Sequence, residues 1–150
     1  MKKLFLLSLL ACSQLMIRAQ TPEDSVKNAV NKLFEGIKGS NAGIILASFC
    51  DSAILQSIAT DAQGKAMVIT ESVTSFADQV SKLPAGAADE RITIDVIRKD
   101  GPLAMVWAPY TFYYNGAFSH CGVDCFQLVK IKGEWKIQYL IDTRHRKGCE

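Results

Sequence analysis

Apolar and polar positions alternate almost without a break across residues 91–144, the period-two pattern of half-buried strands. Three glycine-containing turns divide the stretch. Asp100-Gly101 parts residues 91–99 from 103–114, Asn115-Gly116 parts 103–114 from 118–132, and Lys132-Gly133 parts 118–132 from 134–144. Asp-Gly and Asn-Gly supply the positive φ angles that tight hairpin turns require. The pattern therefore predicts a four-stranded antiparallel meander.

Two-residue turns also fix registers. They set Met105 opposite Phe126, Trp107 opposite Asp124, and Thr111 opposite His120. They likewise set Leu128 opposite Ile137, Phe126 opposite Tyr139, and Asp124 opposite Ile141. Cross-strand partners share a face. One face is then expected to carry Ile94, Val96, Met105, Trp107, Phe126, Leu128, Ile137 and Tyr139, and the other Gln127, Gln138, Asp142 and Arg144. His120 and Asp124 are the two polar residues that fall on the apolar face. Pro109 has no N–H for a ladder, so a bulge or bend is expected beside it.

The upstream half changes period. Val26, Ala29, Val30, Leu33, Phe34 and Ile37 recur at helical spacing. Thr21 as N-cap, Pro22 in the first turn and Gly39 at the end bound a helix over 22–38. Ser40 or Asn41 caps a short second helix to about Ser48. A hairpin follows, 52–60 with 65–69, around residues 61–64. Thr70 caps a third helix with the stripe Val73, Phe76, Ala77, Val80 and Leu83, which Pro84 stops. The apolar face of the meander needs a cover, and these stripes supply it. The expected class is α+β: a strongly curved antiparallel sheet, hairpin plus four-strand meander, wrapped on three helices.

Composition adds bounds. A chain of 150 residues with 49% hydrophobic and 21% charged residues builds one globular core. A net charge of +2 gives no nucleic-acid footprint, and Arg144-His145-Arg146-Lys147 reads as a solvated end. Lys2 and Lys3, the apolar run Leu4 to Leu10, and the small residue Ala19 make residues 1–19 a signal peptide cut between Ala19 and Gln20. Residues 20–150 then form a single domain in the periplasm or outside the cell. Leu9-Leu10-Ala11-Cys12 resembles a lipoprotein box, and acylation of Cys12 is the alternative. No later stretch is apolar enough to span a bilayer.

Export leaves Cys50, Cys121, Cys125 and Cys149 in an oxidising compartment. Cys121 and Cys125 lie four residues apart on a strand, roughly 13 Å, too far to bond to each other. Cys149 is the best partner for Cys121 if a bond forms, and buried thiols are the other reading. His120 points away from both cysteines on an alternating strand, which argues against a metal site.

The strings Val106-Trp107-Ala108-Pro109-Tyr110, His120-Cys121-Gly122-Val123-Asp124-Cys125-Phe126-Gln127-Leu128-Val129-Lys130 and Gly133-Glu134-Trp135-Lys136-Ile137, in this element order, resemble the nuclear transport factor 2-like superfamily. That superfamily includes SnoaL-like cyclases. The resemblance is to its exported bacterial members of unassigned function, some described as putative lumazine-binding. It covers about residues 22–147 and implies a cone-shaped fold with an open mouth. It does not fix an activity, since the superfamily hosts enzymes and non-catalytic binders alike.

The expected function is binding of a small, flat or apolar ligand in the cone. Asp124 would hold its polar end, with Trp107, Tyr113, His120, Phe126 and Tyr139 around its body. A desolvated Asp124 would have a raised pKa. With His120 it would be the acid–base pair of the alternative, a cofactor-independent lyase, isomerase or hydrolase. A third class is a dimeric assembly module. No cofactor or metal is expected, and a homodimer through the convex face of the sheet is.

Overall fold

The computed structural model describes residues 21–149 except Ala62. The signal peptide, its cut after Ala19 and the lipoprotein alternative at Cys12 lie outside the described residues. Helix α1 spans Pro22–Lys38, α2 Ala42–Ser48 and α3 Val73–Ser81. Thr21 and Asp24 form a reciprocal capping box on α1, which satisfies two otherwise orphaned N–H groups. Asn41 caps α2 and Ser72, not Thr70, caps α3.

The strands are β1 Phe49–Thr60, β2 Ala66–Glu71, β3 Ala88–Ile92, β4 Val96–Asp100, β5 Leu103–Tyr114, β6 Ala117–Ile131 and β7 Glu134–Thr143. They form one curved, unclosed sheet in the order β2-β1-β7-β6-β5-β3, with β4 also paired to β5. The α+β architecture is as expected, with two corrections. β1 runs parallel to β7, so the sheet is mixed rather than antiparallel. The strand expected over 91–99 is two strands, β3 and β4, both laid along β5.

The core lies between the helices and the concave face. Val26, Val30, Leu33 and Ile37 of α1 are buried, with Ile45 of α2 and Ala77 and Val80 of α3. They meet Val106, Phe126, Leu128 and Ile137 of the sheet. Phe34 packs edge-on to Phe126 at 6.2 Å between centroids. Among the described residues no helix is long and apolar enough to cross a membrane.

Registers differ from expectation through inserted residues. Tyr113 faces Phe118, but Phe112 faces His120, leaving Ser119 as an extra residue in β6. Leu128 faces Ile137 as expected, but Gln127 faces Tyr139, leaving Gln138 extra in β7. Each such bulge shifts the pairing by one and turns the rest of a strand over. Val106, not Met105, faces Phe126, and Leu140, not Tyr139, pairs with Phe126. Trp107 therefore stands on the convex face, 42% exposed. Asp142 turns inward to face Asp124. Pro109 sits in regular pairing with Val123, so the irregularity expected at Pro109 is at Ser119 instead.

Cys121 is bonded to Cys149, and Cys50 and Cys125 are thiols. Beside that bond, β6 and the end of β7 come very close. A Cβ placed on Gly122 would lie 1.8 Å from the carbonyl oxygen of Thr143 and 2.9 Å from a ring carbon of Tyr110. Backbone cannot yield that far, so only glycine fits. Gly122→Ala is expected to destabilise the domain by about 3 kcal/mol, the upper part of the usual overpacking range. Urea unfolding followed by circular dichroism measures this, and the disulfide should be kept intact in both proteins.

Candidate functional site

A cavity of about 170 Å³ opens between the helices and the concave face. Its apolar wall comes from Leu33, Phe34 and Ile37 of α1, Phe76 of α3, and Leu55, Ile69 and Leu140 of the sheet. Its polar end gathers Glu90 from β3, Tyr110 from β5, His120 and Asp124 from β6, and Asp142 and Arg144 from the end of β7. Glu71 and Ser57 complete the rim.

The polar groups fall into two sets. In the first, Arg144 Nε donates to Asp142 Oδ2 at 2.8 Å and its Nη2 donates to Ser57 Oγ at 2.8 Å. The Tyr110 hydroxyl is within hydrogen-bond reach of Asp142 Oδ2 at 3.2 Å and of the Thr143 carbonyl at 2.9 Å. In the second, the carboxyls of Asp124 and Glu90 are hydrogen-bonded to each other. Asp124 is only 3% exposed. Among the described residues, no N–H or hydroxyl donor reaches its buried Oδ2.

Two carboxyls can share a hydrogen bond only if one holds a proton. Burial, and then the neighbouring Glu90 and Asp142 charges, push the Asp124 carboxyl well above the usual range. Burial raises Glu90 from 4.5 to about 7, against the hydrogen bond from Asp124, which lowers it. The pair therefore retains one proton between the two carboxyls. Burial also raises the Tyr110 hydroxyl, reinforced by Asp142 and Glu90, so it remains a neutral donor. Burial and the Arg144 charge push His120 down. Its Nδ1 lies 3.1 Å from Ser119 Oγ, and its ring packs against Tyr110 and Phe112.

Of the residues expected in the site, His120 and Asp124 line the cavity. Phe126 is fully buried in the core against Phe34 and is not among the lining residues. Trp107 and Tyr139 are corrected to the convex face, where the Tyr139 hydroxyl donates to Gln56 Oε1 at 2.7 Å. Tyr113 lies past the Ser119 bulge, under the Arg91 guanidinium at 4.3 Å, away from the cavity. Asp142 and Arg144, expected outside, are in the cavity and paired with each other. Glu90 and Tyr110 are additions. Glu90 had a signal in Ala88-Asp89-Glu90-Arg91-Ile92, where an acid takes the middle place of an apolar alternation. Glu90 is the group that meets Asp124 directly, and His120, expected to partner Asp124 in acid–base work, lines the same cavity.

Residues 21–139 match the family described as putative lumazine-binding, and the chain belongs to that family. The fold is that of NTF2-like proteins of unknown function. One from Shewanella baltica is 18% identical, with a TM-score of 0.64 over 83% of this chain and 94% of that one. One from Methylobacillus flagellatus is 21% identical, with a TM-score of 0.62 over 82% and 91%. A protein of unknown function from Mycobacterium tuberculosis is 14% identical, with a TM-score of 0.62 over 87% and 79%. At these identities the likeness concerns the fold alone. No curated protein matches the chain.

The raised Glu90 pKa has a consequence for stability. A carboxyl whose folded pKa exceeds its unfolded value adds stability that is complete below about 4.5 and is lost as pH rises through about 7. Glu90→Gln removes this loss. Its stability relative to the native protein should rise between about pH 5 and pH 8, by on the order of 2 kcal/mol. Denaturant midpoints taken across that range test it, and parallel curves for the two proteins would show that Glu90 is not held protonated by the fold.

Proposed function

We propose that the cone binds a small, flat, largely apolar ligand, with Asp124 fixing its polar end. The reading rests chiefly on one observation, the buried Asp124 Oδ2 that no donor reaches, at the polar end of an otherwise apolar cavity. A buried acceptor without a partner is unfavourable by about 1–3 kcal/mol, and a ligand N–H or O–H relieves it. Apolar walls with a few convergent polar groups are the usual composition of small-molecule sites. The family description is consistent with this reading. Lumazine itself, a flat bicyclic imide, is the first ligand to try.

A second reading has its own support. Glu90, raised to about 7, meets the raised Asp124 carboxyl, and two acids sharing a proton form an acid–base pair poised near neutral pH. It would serve a cofactor-independent lyase, isomerase or hydrolase, with Glu90 in the place first given to His120. Around either activity we propose an exported protein, leader 1–19 and domain 20–150, in the periplasm or outside the cell. Exposed Leu103, Trp107 and Ile131 support a homodimer through the sheet.

Asp124→Asn keeps the shape of the side chain and removes the carboxyl group. It is expected to weaken binding of lumazine, or of whatever small molecule co-purifies and is identified by mass spectrometry, roughly tenfold, about 1.4 kcal/mol. Calorimetric titration of the folded variant measures it. Unchanged affinity would mean that Asp124 is structural.

A further inference from the structure

Four carboxyls line the cavity, those of Glu71, Glu90, Asp124 and Asp142, against one guanidinium, that of Arg144. Most of these groups already have partners. Arg144 is taken up by Asp142 and Ser57. Glu71 accepts from Ser75 Oγ and Gln79 Nε2. The Tyr110 hydroxyl is occupied by Asp142 and Thr143. Unused acceptor capacity lies where Glu90 and Asp124 meet and the buried Oδ2 stands without a donor. Even with one proton shared between them, the cavity is short of positive charge.

We propose that the cone selects a small planar cation of the amidinium or guanidinium type, which donates N–H groups to Glu90 and Asp124 together. This rests on the cone being a ligand site and names the class of ligand. Parallel N–H donors match carboxylate oxygens in a fork, and a delocalised cation is desolvated more easily than an ammonium. A neutral imide offers one N–H flanked by two carbonyls, and those carbonyls would face carboxyl oxygens. An anion would be repelled outright. The apolar wall of Phe34, Phe76 and Leu140 accepts the ring that carries the cation.

Binding of such a cation should strengthen as Glu90 ionises, with the pH rising through about 7. The groups around Glu90 that bear on this are Asp124 and His120 of β6, Tyr110 of β5, Asp142 and Arg144 at the end of β7, and Glu71 at the end of β2. The helices contribute Leu33, Phe34, Ile37 and Phe76, none of which titrates.

The test uses three probes of one shape on the purified protein: benzamidine, a cation; benzamide, neutral; and benzoate, an anion. Calorimetry at about pH 6 and about pH 8.5 brackets the Glu90 transition, and benzamidine stays charged at both. Benzamidine is expected to bind at least roughly tenfold more tightly than the other two, and roughly tenfold more tightly at the higher pH. Glu90→Gln and Asp124→Asn should each remove that preference, with circular dichroism confirming the fold. Glu90→Gln carries the test if Asp124→Asn does not fold. Tyr139→Phe on the convex face should change nothing. Equal binding of benzamide or benzoate, or benzamidine binding indifferent to Glu90→Gln, overturns the cation class. If lumazine binds and benzamidine does not, the cone remains a ligand site and only this inference falls. If lumazine and all three probes fail to bind, both readings fall.

Discussion

The close approach of β6 to the end of β7 at Gly122 is the contact on which the site depends. With no Cβ at Gly122, the Thr143 carbonyl comes against the strand, where the Tyr110 hydroxyl reaches it. The Thr143 hydroxyl accepts from Val123 N–H at 3.1 Å. One residue on, His145 and Cys121 exchange both backbone hydrogen bonds, and the Cys121–Cys149 bond fastens the same point. Asp142 and Arg144 flank this clamp. Alternation sends both inward, and so the Arg144 guanidinium is delivered to the cavity by backbone packing outside it.

What the clamp delivers is consumed locally. Asp142 takes up Arg144, and the Tyr110 hydroxyl lies against both Asp142 and Thr143. That leaves Asp124 and Glu90 without a cation of their own. In water two carboxyls would simply both ionise. In the cavity, removing solvent makes a second negative charge too costly, and one proton is retained. The protonation state is thus set by where the first polar set spends its positive charge.

Much of this was legible in the chain, and the limit has a definite cause. The capped helices, the three turns and the inward placement of His120 and Asp124 follow from periodicity and turn chemistry. Both residues lie on β6, whose alternation runs unbroken from His120 onward. Errors entered on the neighbouring strands. Ser119 and Gln138 carry no glycine or proline signal, yet each is an inserted residue that reverses alternation beyond it. Trp107 and Tyr139 were thereby assigned inward and Asp142 outward. Aromatic residues reinforced the error, because a large apolar side chain is as easily read as core as a smaller one. Here Ala104, Val106 and Ala108 take the inner places on β5. Glu90 was missed for another reason: its partner Asp124 lies two strands away, and no local pattern reports a contact across an intervening strand.

Stability comes from the apolar end, where Val26, Val30, Phe126, Leu128 and Ile137 are essentially solvent-free. The polar end works against it. Burying Asp124 and Glu90 raises both carboxyls, and each raised pKa is free energy given up at neutral pH. A purely structural contact at that spot would be better made by apolar side chains of similar volume, which replace buried charged groups at little or no cost. Alternation alone did not force acids there either. Ala88 and Ile92 on β3 and Phe126 and Leu128 on β6 show that these same faces take apolar residues one step away. Two acids from different strands, brought together at the polar end of an apolar cavity, weaken the fold they belong to. A partner with donors in the cavity would recover such a cost, which is the physical support for the proposed ligand site at this end.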